Sequence, residues 1–206
     1  DLPLRESRIG NPLSPYAASK LATEQYALAW AASYGLSALA FRFFNVFGPL
    51  QPAGHDYAAV VPAFVDAALA GLPLPVHGDG TQSRDFTFVE NNVRANILAA
   101  TAPDAVGRVM NIACGHSYSL LDLLGQINEI LGTSIEPQFA PARKGDVKHS
   151  LADIGKARRL LGYSPDAPLP ELQQLFRARA AREIVRVVGE GTPVEGEEVE
   201  IDGRKV

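Results

Sequence analysis

The chain has 206 residues, 47% of them hydrophobic and 20% charged, a composition that can bury a sizeable core without disulfide or metal staples. Its net charge of -4 is uneven: residues 189–206 hold six acids and two bases, and the rest is balanced. A neutral body with an acidic end does not suit a nucleic-acid binder, which presents a basic face. No apolar run is long enough to cross a bilayer as a helix, no basic and apolar leader opens the sequence, and the single cysteine, Cys114, fits a reducing, cytoplasmic compartment.

In chain order, Ser14-Pro15 opens a first helix: Ser can cap it and Pro suits the first helical position. The run Tyr16 to Tyr34 is rich in Ala, Leu, Glu and Gln and ends at Gly35. Residues 36–44 read as a buried strand, and 45–57, with Gly48-Pro49, Pro52 and Gly54, as a loop. A helix over 60–70 has Pro62 in its first turn and Gly71 beyond its end. Residues 74–77 are extended before the turn Gly78-Asp79-Gly80, and 84–89 alternate around Phe86 and Phe88 as a strand. A helix over 92–102, a strand over 109–113 and a helix over 119–131 follow, the last with Ser119 and Asp122 resembling a capping box. Phe139 lies in a short extended piece, Asp153 can cap a helix over 154–161, and a last helix covers 171–187. Residues 189–206 read as a solvated, mobile acidic tail.

This alternation predicts an α/β fold with parallel strands. The Gly-rich turn that usually cradles a dinucleotide is missing, since Gly78-Asp79-Gly80 is followed by Ser83 where a third glycine is needed. The four His show no ligand spacing, which argues against a metal site. Cys114 follows an apolar strand and reads as core, and Tyr26 and Trp30 read as packing residues of the first helix.

Tyr16 and Lys20 are four apart, so they share one helix face. An ammonium beside a phenol favours the phenolate, which can act as a general base toward a sugar hydroxyl. Other blocks surround this pair in order: Arg42-Phe43-Phe44-Asn45-Val46-Phe47-Gly48-Pro49, Ser83-Arg84-Asp85-Phe86, Val89-Glu90-Asn91-Asn92-Val93, Asn111-Ile112-Ala113, Arg143-Lys144-Gly145-Asp146 and Leu151-Ala152-Asp153. Over residues 5–175 the series resembles the extended short-chain dehydrogenase/reductase family, in its nucleotide-sugar epimerase/dehydratase branch. The resemblance implies the C-terminal part of a Rossmann-type doubly wound NAD-binding sheet, joined to a smaller α/β substrate domain. Residues 1–50 would end the NAD-binding domain, 51–188 would be mainly nucleotide-sugar binding, and 189–206 the tail.

The family's roles fall on named positions. Tyr16 resembles the catalytic tyrosine, which takes the proton of the sugar 4-hydroxyl while hydride passes to NAD, and Lys20 the lysine that holds the nicotinamide ribose. Phe43 resembles the residue on the nicotinamide side, and Asn45 a contact to the diphosphate of the sugar nucleotide. Arg84 and Arg143 resemble a diphosphate clamp, a task suited to guanidinium, which is always charged and grips oxygens bidentately. Asp146 resembles an acid on the nucleotide ribose, and Val76 and His77 the segment lining the nucleobase.

The blocks around Asp56 to Pro62, Ser83 to Asn91 and Gly145 to Asp153 resemble UDP-N-acetylglucosamine 4-epimerases most. There the fourth residue after Asp146 gates the sugar C2 substituent. It is Ser150 here, and a small side chain leaves room for an acetamido group. The reaction implied is C4 epimerisation of a UDP-sugar through a transient 4-keto sugar. The same branch also holds 4,6-dehydratases and UDP-glucuronate decarboxylases, and a protein that only binds nucleotide sugars is the non-catalytic alternative. Full-length relatives carry a strand, a Gly-rich turn and further βα units before the tyrosine helix, and are homodimers through that helix. The expectation is therefore that these residues are the C-terminal portion of such an enzyme, binding NAD poorly and inactive alone.

Overall fold

The computed structural model describes residues 2–51, 59–142, 147–166, 172, 175–176, 200–201 and 204–205. Helix α1 (Pro15–Tyr34) starts as its sequence dictates. Ser14 is extended, its hydroxyl accepts the Ala17 N–H at 3.1 Å, and Pro15 takes the first turn. Gly35 ends the helix at φ 68°, a left-handed conformation that costs a residue without Cβ little.

Strand β1 (Ala40–Phe43) is shorter than the nine residues its apolar run suggests, and β2 (Val46–Phe47) lies in what reads as loop. Then come α2 (Val60–Leu69), β3 (Leu74–His77), β4 (Ser83–Arg84) and β5 (Thr87–Phe88). The expected strand over 84–89 is thus two short strands broken at Asp85-Phe86. Helix α3 (Val89–Ala99) begins three residues before the predicted start. Next are β6 (Val109–Ile112), β7 (Tyr118–Ser119) and α4 (Leu120–Leu131), whose capping box forms as read: Asp122 N–H donates to the Ser119 hydroxyl, and Ser119 N–H donates to the Asp122 carboxylate. Strand β8 (Pro137–Ala140) and helix α5 (Gly155–Leu161) follow. Asp153 does not occupy the cap position of α5. Ile154 does, and Asp153 instead accepts the Gly155 N–H at 2.9 Å from one residue upstream.

Among the described residues, three strand pairs are parallel. β1 runs beside β6 with Ala40 opposite Val109 and Phe43 opposite Ile112, β2 pairs with β5, and β3 pairs with β8. β4 and β7 are antiparallel, with Arg84 opposite Tyr118. Parallel partners need crossover connections, and α2, α3 and α4 stand in the intervals of the chain that supply them. β1, before residue 50, takes its parallel partner β6 from residues 109–112.

Two apolar clusters are buried among the described residues. One gathers β2, α2, β3, β5 and α4 around Phe47, Phe64, Leu74, Phe86, Phe88, Leu123 and Ile127, and receives the helical residues Leu172, Leu175 and Phe176. Burying a side chain such as Phe64 stabilises the fold by roughly 1.5–3 kcal/mol. The other gathers α3, β6 and α5 around Ala95, Met110, Ile112, Ala157, Leu161 and Tyr163. Gly80 is held at φ 77°, and a Cβ there would meet the Leu121 side chain at 2.8 Å, so a larger residue in the turn before β4 is strained and must displace that side chain.

The predicted last helix over 171–187 lies outside the described residues except at 172, 175 and 176. In the acidic end, β9 (Glu200–Ile201) pairs antiparallel with β10 (Arg204–Lys205), and residues 189–199 lie outside the described set. No helix among the described residues is long and apolar enough to cross a membrane.

Candidate active site

α1 exposes nearly its whole length. Ala31 is its one buried residue among those described, and Tyr16 is 68% exposed. The i,i+4 spacing puts Lys20 on the Tyr16 face, with its Nζ 5.4 Å from the centre of the phenol ring, within cation–π range. Both side chains line a groove of about 780 Å³, bounded by residues 8–12, α1 and β1, and Phe43 lines it as well. Phe43 is the last residue of β1 and 49% exposed, with its ring 5.8 Å from that of Phe41.

An ion pair fixes α1 against β1. Arg42 donates from Nε and Nη2 to the two oxygens of Glu24 at 2.7 and 2.8 Å, and from Nη1 to the Glu6 carbonyl at 3.1 Å. The guanidinium holds the Glu24 carboxyl below its usual range, and the carboxylate in turn raises the Arg42 guanidinium. The sequence reading contains Arg42 in a block but gives it no role, and gives none to Glu24.

The other nominated residues that are described lie away from the lining of this groove. Val76 is fully buried in β3, and next to it half-buried His77 has Nδ1 3.3 Å from the Pro141 carbonyl. Gln82 donates to the His77 carbonyl, linking β3 to β4. Arg84 donates from Nη1 to the carbonyls of Ser83 and Lys148, at 2.9 and 3.1 Å. Ser150 is half-buried beside it: its N–H donates to the Ser83 carbonyl at 3.0 Å, and its carbonyl accepts the Ser117 hydroxyl at 3.2 Å. Asn45 is exposed just past β1, and its carbonyl accepts the Thr87 N–H at 3.1 Å. Arg143 and Asp146 lie outside the described residues. The structure therefore brings Tyr16, Lys20 and Phe43 together on the groove, and Arg84 and Ser150 on adjoining segments. Asn45, Val76, His77, Arg84 and Ser150 are not among the described residues that line the groove.

Asp85 carries no role in the sequence reading, yet it is fully buried. One oxygen accepts the Cys114 N–H at 2.9 Å, and the other accepts those of Gly115 and Ala152 at 3.0 and 3.2 Å. Burial pushes its carboxyl above the usual range, and the three donors oppose that shift. An acid beside the alternating Phe86 and Phe88 is the signal that could have marked it. Cys114 is buried as read, its thiol pushed up to about 12, chiefly by burial. Tyr26 and Trp30 do not pack inward: with Tyr34 they are 73, 60 and 68% exposed. In an isolated chain that stripe faces solvent because few residues pack against α1.

Parallel strands joined by helices, with a groove reaching the carboxyl end of a strand, are the arrangement of ligand-binding open α/β proteins. The model of the NAD dependent epimerase/dehydratase family matches residues 2–113, and the chain belongs to that family. It is 37% identical over 169 residues to the UDP-glucose 4-epimerase of Mycolicibacterium smegmatis, covering 82% of this chain and 53% of that protein. Among solved structures, a UDP-N-acetylglucosamine 4-epimerase from Methanobrevibacter ruminantium, in complex with UDP-N-acetylmuramic acid, is 39% identical with a TM-score of 0.84, over 88% of this chain and 58% of that one. A UDP-glucuronic acid 4-epimerase from Bacillus cereus, in complex with UDP-glucuronic acid and NAD, is 30% identical with a TM-score of 0.79, over 86% and 56%. The chain thus spans a little over half the length of these relatives. The family's cofactor is NAD.

Proposed function

We propose that this chain carries the catalytic base and the nucleotide-sugar site of an NAD-dependent UDP-sugar 4-epimerase. The observation that carries this reading is the Tyr16–Lys20 pair, solvent-open on a groove that half-exposed Phe43 also lines. That opening fits the nicotinamide end of NAD: Lys20 can reach a ribose hydroxyl, and Phe43 offers a flat apolar surface to a ring. NAD, when bound, supplies the acceptor and donor of the sugar C4 hydride.

The chain's own residues move the proton and hold the substrate. Tyr16 Oη takes the proton of the 4-hydroxyl and returns it, and Lys20 one turn on keeps a positive charge beside the phenol. Arg84 and Arg143 grip the diphosphate with Asn45 beside them, Asp146 holds the ribose, and Val76 and His77 line the base. Ser150, small and pinned at both its N–H and its carbonyl, leaves room at C2 for an acetamido group, which favours UDP-N-acetylglucosamine and UDP-N-acetylgalactosamine over UDP-glucose and UDP-galactose. The active assembly is a cytoplasmic homodimer through the exposed aromatic stripe of α1 in the full-length enzyme, and the 206 residues alone are inactive. Within the same family, dehydration or decarboxylation of a nucleotide sugar is the competing reaction.

In the full-length enzyme, Tyr16→Phe is expected to lower interconversion of UDP-N-acetylglucosamine and UDP-N-acetylgalactosamine by about 10²–10⁴-fold, the usual weight of a general base, with NAD still bound. Retained turnover removes Tyr16 from the mechanism, and release of a 4-keto-6-deoxy sugar as product establishes the dehydratase reading instead.

A further inference from the structure

We propose that Asp85 is a positioning residue of the nucleotide-sugar site: its buried carboxylate ties together the two segments that flank Arg84 and so fixes where that guanidinium stands. The proposal rests on the reading of Arg84 as a diphosphate ligand.

Arg84 and Asp85 are neighbours, so in extended backbone their side chains leave on opposite faces. Asp85 points inward, where it is fully buried. There it meets the N–H groups of Cys114 and Gly115, which follow β6, and of Ala152. A carboxylate is the one side chain of this size that only accepts, through two oxygens, and three converging N–H groups demand such a group. An apolar residue would leave those donors orphaned in the interior.

The segments that Asp85 holds are those that frame Arg84. From Gly115 the chain runs directly into β7, where Tyr118 stands opposite Arg84. From Ala152 it runs back to Ser150 and Lys148. Ser83 N–H donates to the Lys148 carbonyl at 2.9 Å, Ser150 N–H to the Ser83 carbonyl, and Arg84 Nη1 to that same Lys148 carbonyl. Ser83 Oγ stands 3.0 Å from Nδ1 of His149 in the same segment. One buried acid thus sets the distance between β7 and the 148–152 segment, and the guanidinium is oriented by the gap between them. Burial of the carboxyl opposes its charge, and the three N–H donors of Cys114, Gly115 and Ala152 offset that cost.

The test is calorimetric binding of UDP to the protein, with a double-mutant cycle. Asp85→Asn keeps the shape but turns one acceptor into a donor that faces an N–H. It is expected to weaken UDP binding at least about tenfold, with Arg84→Ala weakening it as much or more. The double variant is expected to bind no more weakly than Arg84→Ala alone, because Asp85 acts through Arg84. Leu123→Ala, in the core of α4, serves as a destabilised control and is expected to keep wild-type affinity. If Asp85→Asn does not fold, Asp85→Glu keeps the charge and lengthens the tether by one methylene, and a several-fold loss is expected there. Wild-type affinity in the Asp85 variants, or fully additive losses in the double variant, overturns the proposal while leaving Arg84 a ligand. Undiminished UDP binding by Arg84→Ala overturns the diphosphate reading itself and the proposal with it.

Discussion

Replacing Glu24 by Gln isolates the tie that holds the tyrosine helix against its strand. Glu24 receives two charge-assisted bonds from Arg42, at 2.7 and 2.8 Å, and among the described residues of α1 only Ala31 is buried. A bond to a charged group contributes about 1.5–3 kcal/mol, and a neutral one about 0.5–1.5 kcal/mol. Glutamine keeps one neutral acceptor and loses the second bond. With the partial exposure of Arg42 reducing the difference, the expected loss is about 2 kcal/mol, roughly a 30-fold change in an opening equilibrium. The pH dependence has a definite sign. The native Glu24 carboxyl lies below its ordinary 4.5, so its contribution is complete above that value and is lost as the pH falls through the native one. The stability gap between wild type and Glu24→Gln is therefore expected to be full at pH 7 and to close in acid, in denaturant titrations across that range. Hydrogen exchange in α1 should quicken in the variant, since few other contacts hold the helix. A gap that persists unchanged to pH 2, or α1 amides as protected as in wild type, would refute the assignment of this pair as the anchor.

Two further outcomes test other parts of the site. Ser150→Tyr is expected to depress turnover of N-acetylated UDP-sugars in the full-length enzyme far more than turnover of UDP-glucose, as paired kcat/KM ratios would show, and equal losses would remove the gate. Cys114, buried and with a thiol pushed up to about 12, should resist iodoacetamide at pH 8 in the folded protein, where only about one molecule in 10⁴ is thiolate, and react on unfolding. Rapid stoichiometric labelling of the folded chain would contradict that burial.

What the sequence made legible was local. Ser14-Pro15, Gly35 and the Ser119/Asp122 box act within one helical turn, and all form as read. Elements whose partners are remote in the chain were not legible. β2 is two residues in a Gly- and Pro-rich stretch, and it is a strand only because Thr87-Phe88 runs beside it, 41 positions on. Helix α3 begins at Val89 and takes in Asn91, a poor helix interior, ahead of the expected start at Asn92. Asn91 is satisfied by tertiary bonds instead, donating to the Asp166 carbonyl and accepting the Asp166 N–H. Asp153 was read as a cap one residue from where its carboxylate acts.

The same division governs the site. Tyr16 and Lys20 announce themselves because helical spacing alone makes them neighbours. The groups that aim the site do not, since Glu24 meets Arg42 across 18 residues and Asp85 meets Ala152 across 67. Both are carboxylates placed where two backbone segments must keep a fixed spacing: one between α1 and β1, the other between the approach to β7 and the 148–152 segment. In each case the functional side chain sits on the element that is tied, and the tie lies out of its reach: Tyr16 two turns before Glu24, Arg84 on the opposite face from Asp85. A substitution at either carboxylate therefore leaves every substrate-facing group in place chemically and displaces it geometrically. Losses there should appear as misplacement, in affinity and in helix opening, before they appear as loss of the proton transfer proposed for Tyr16.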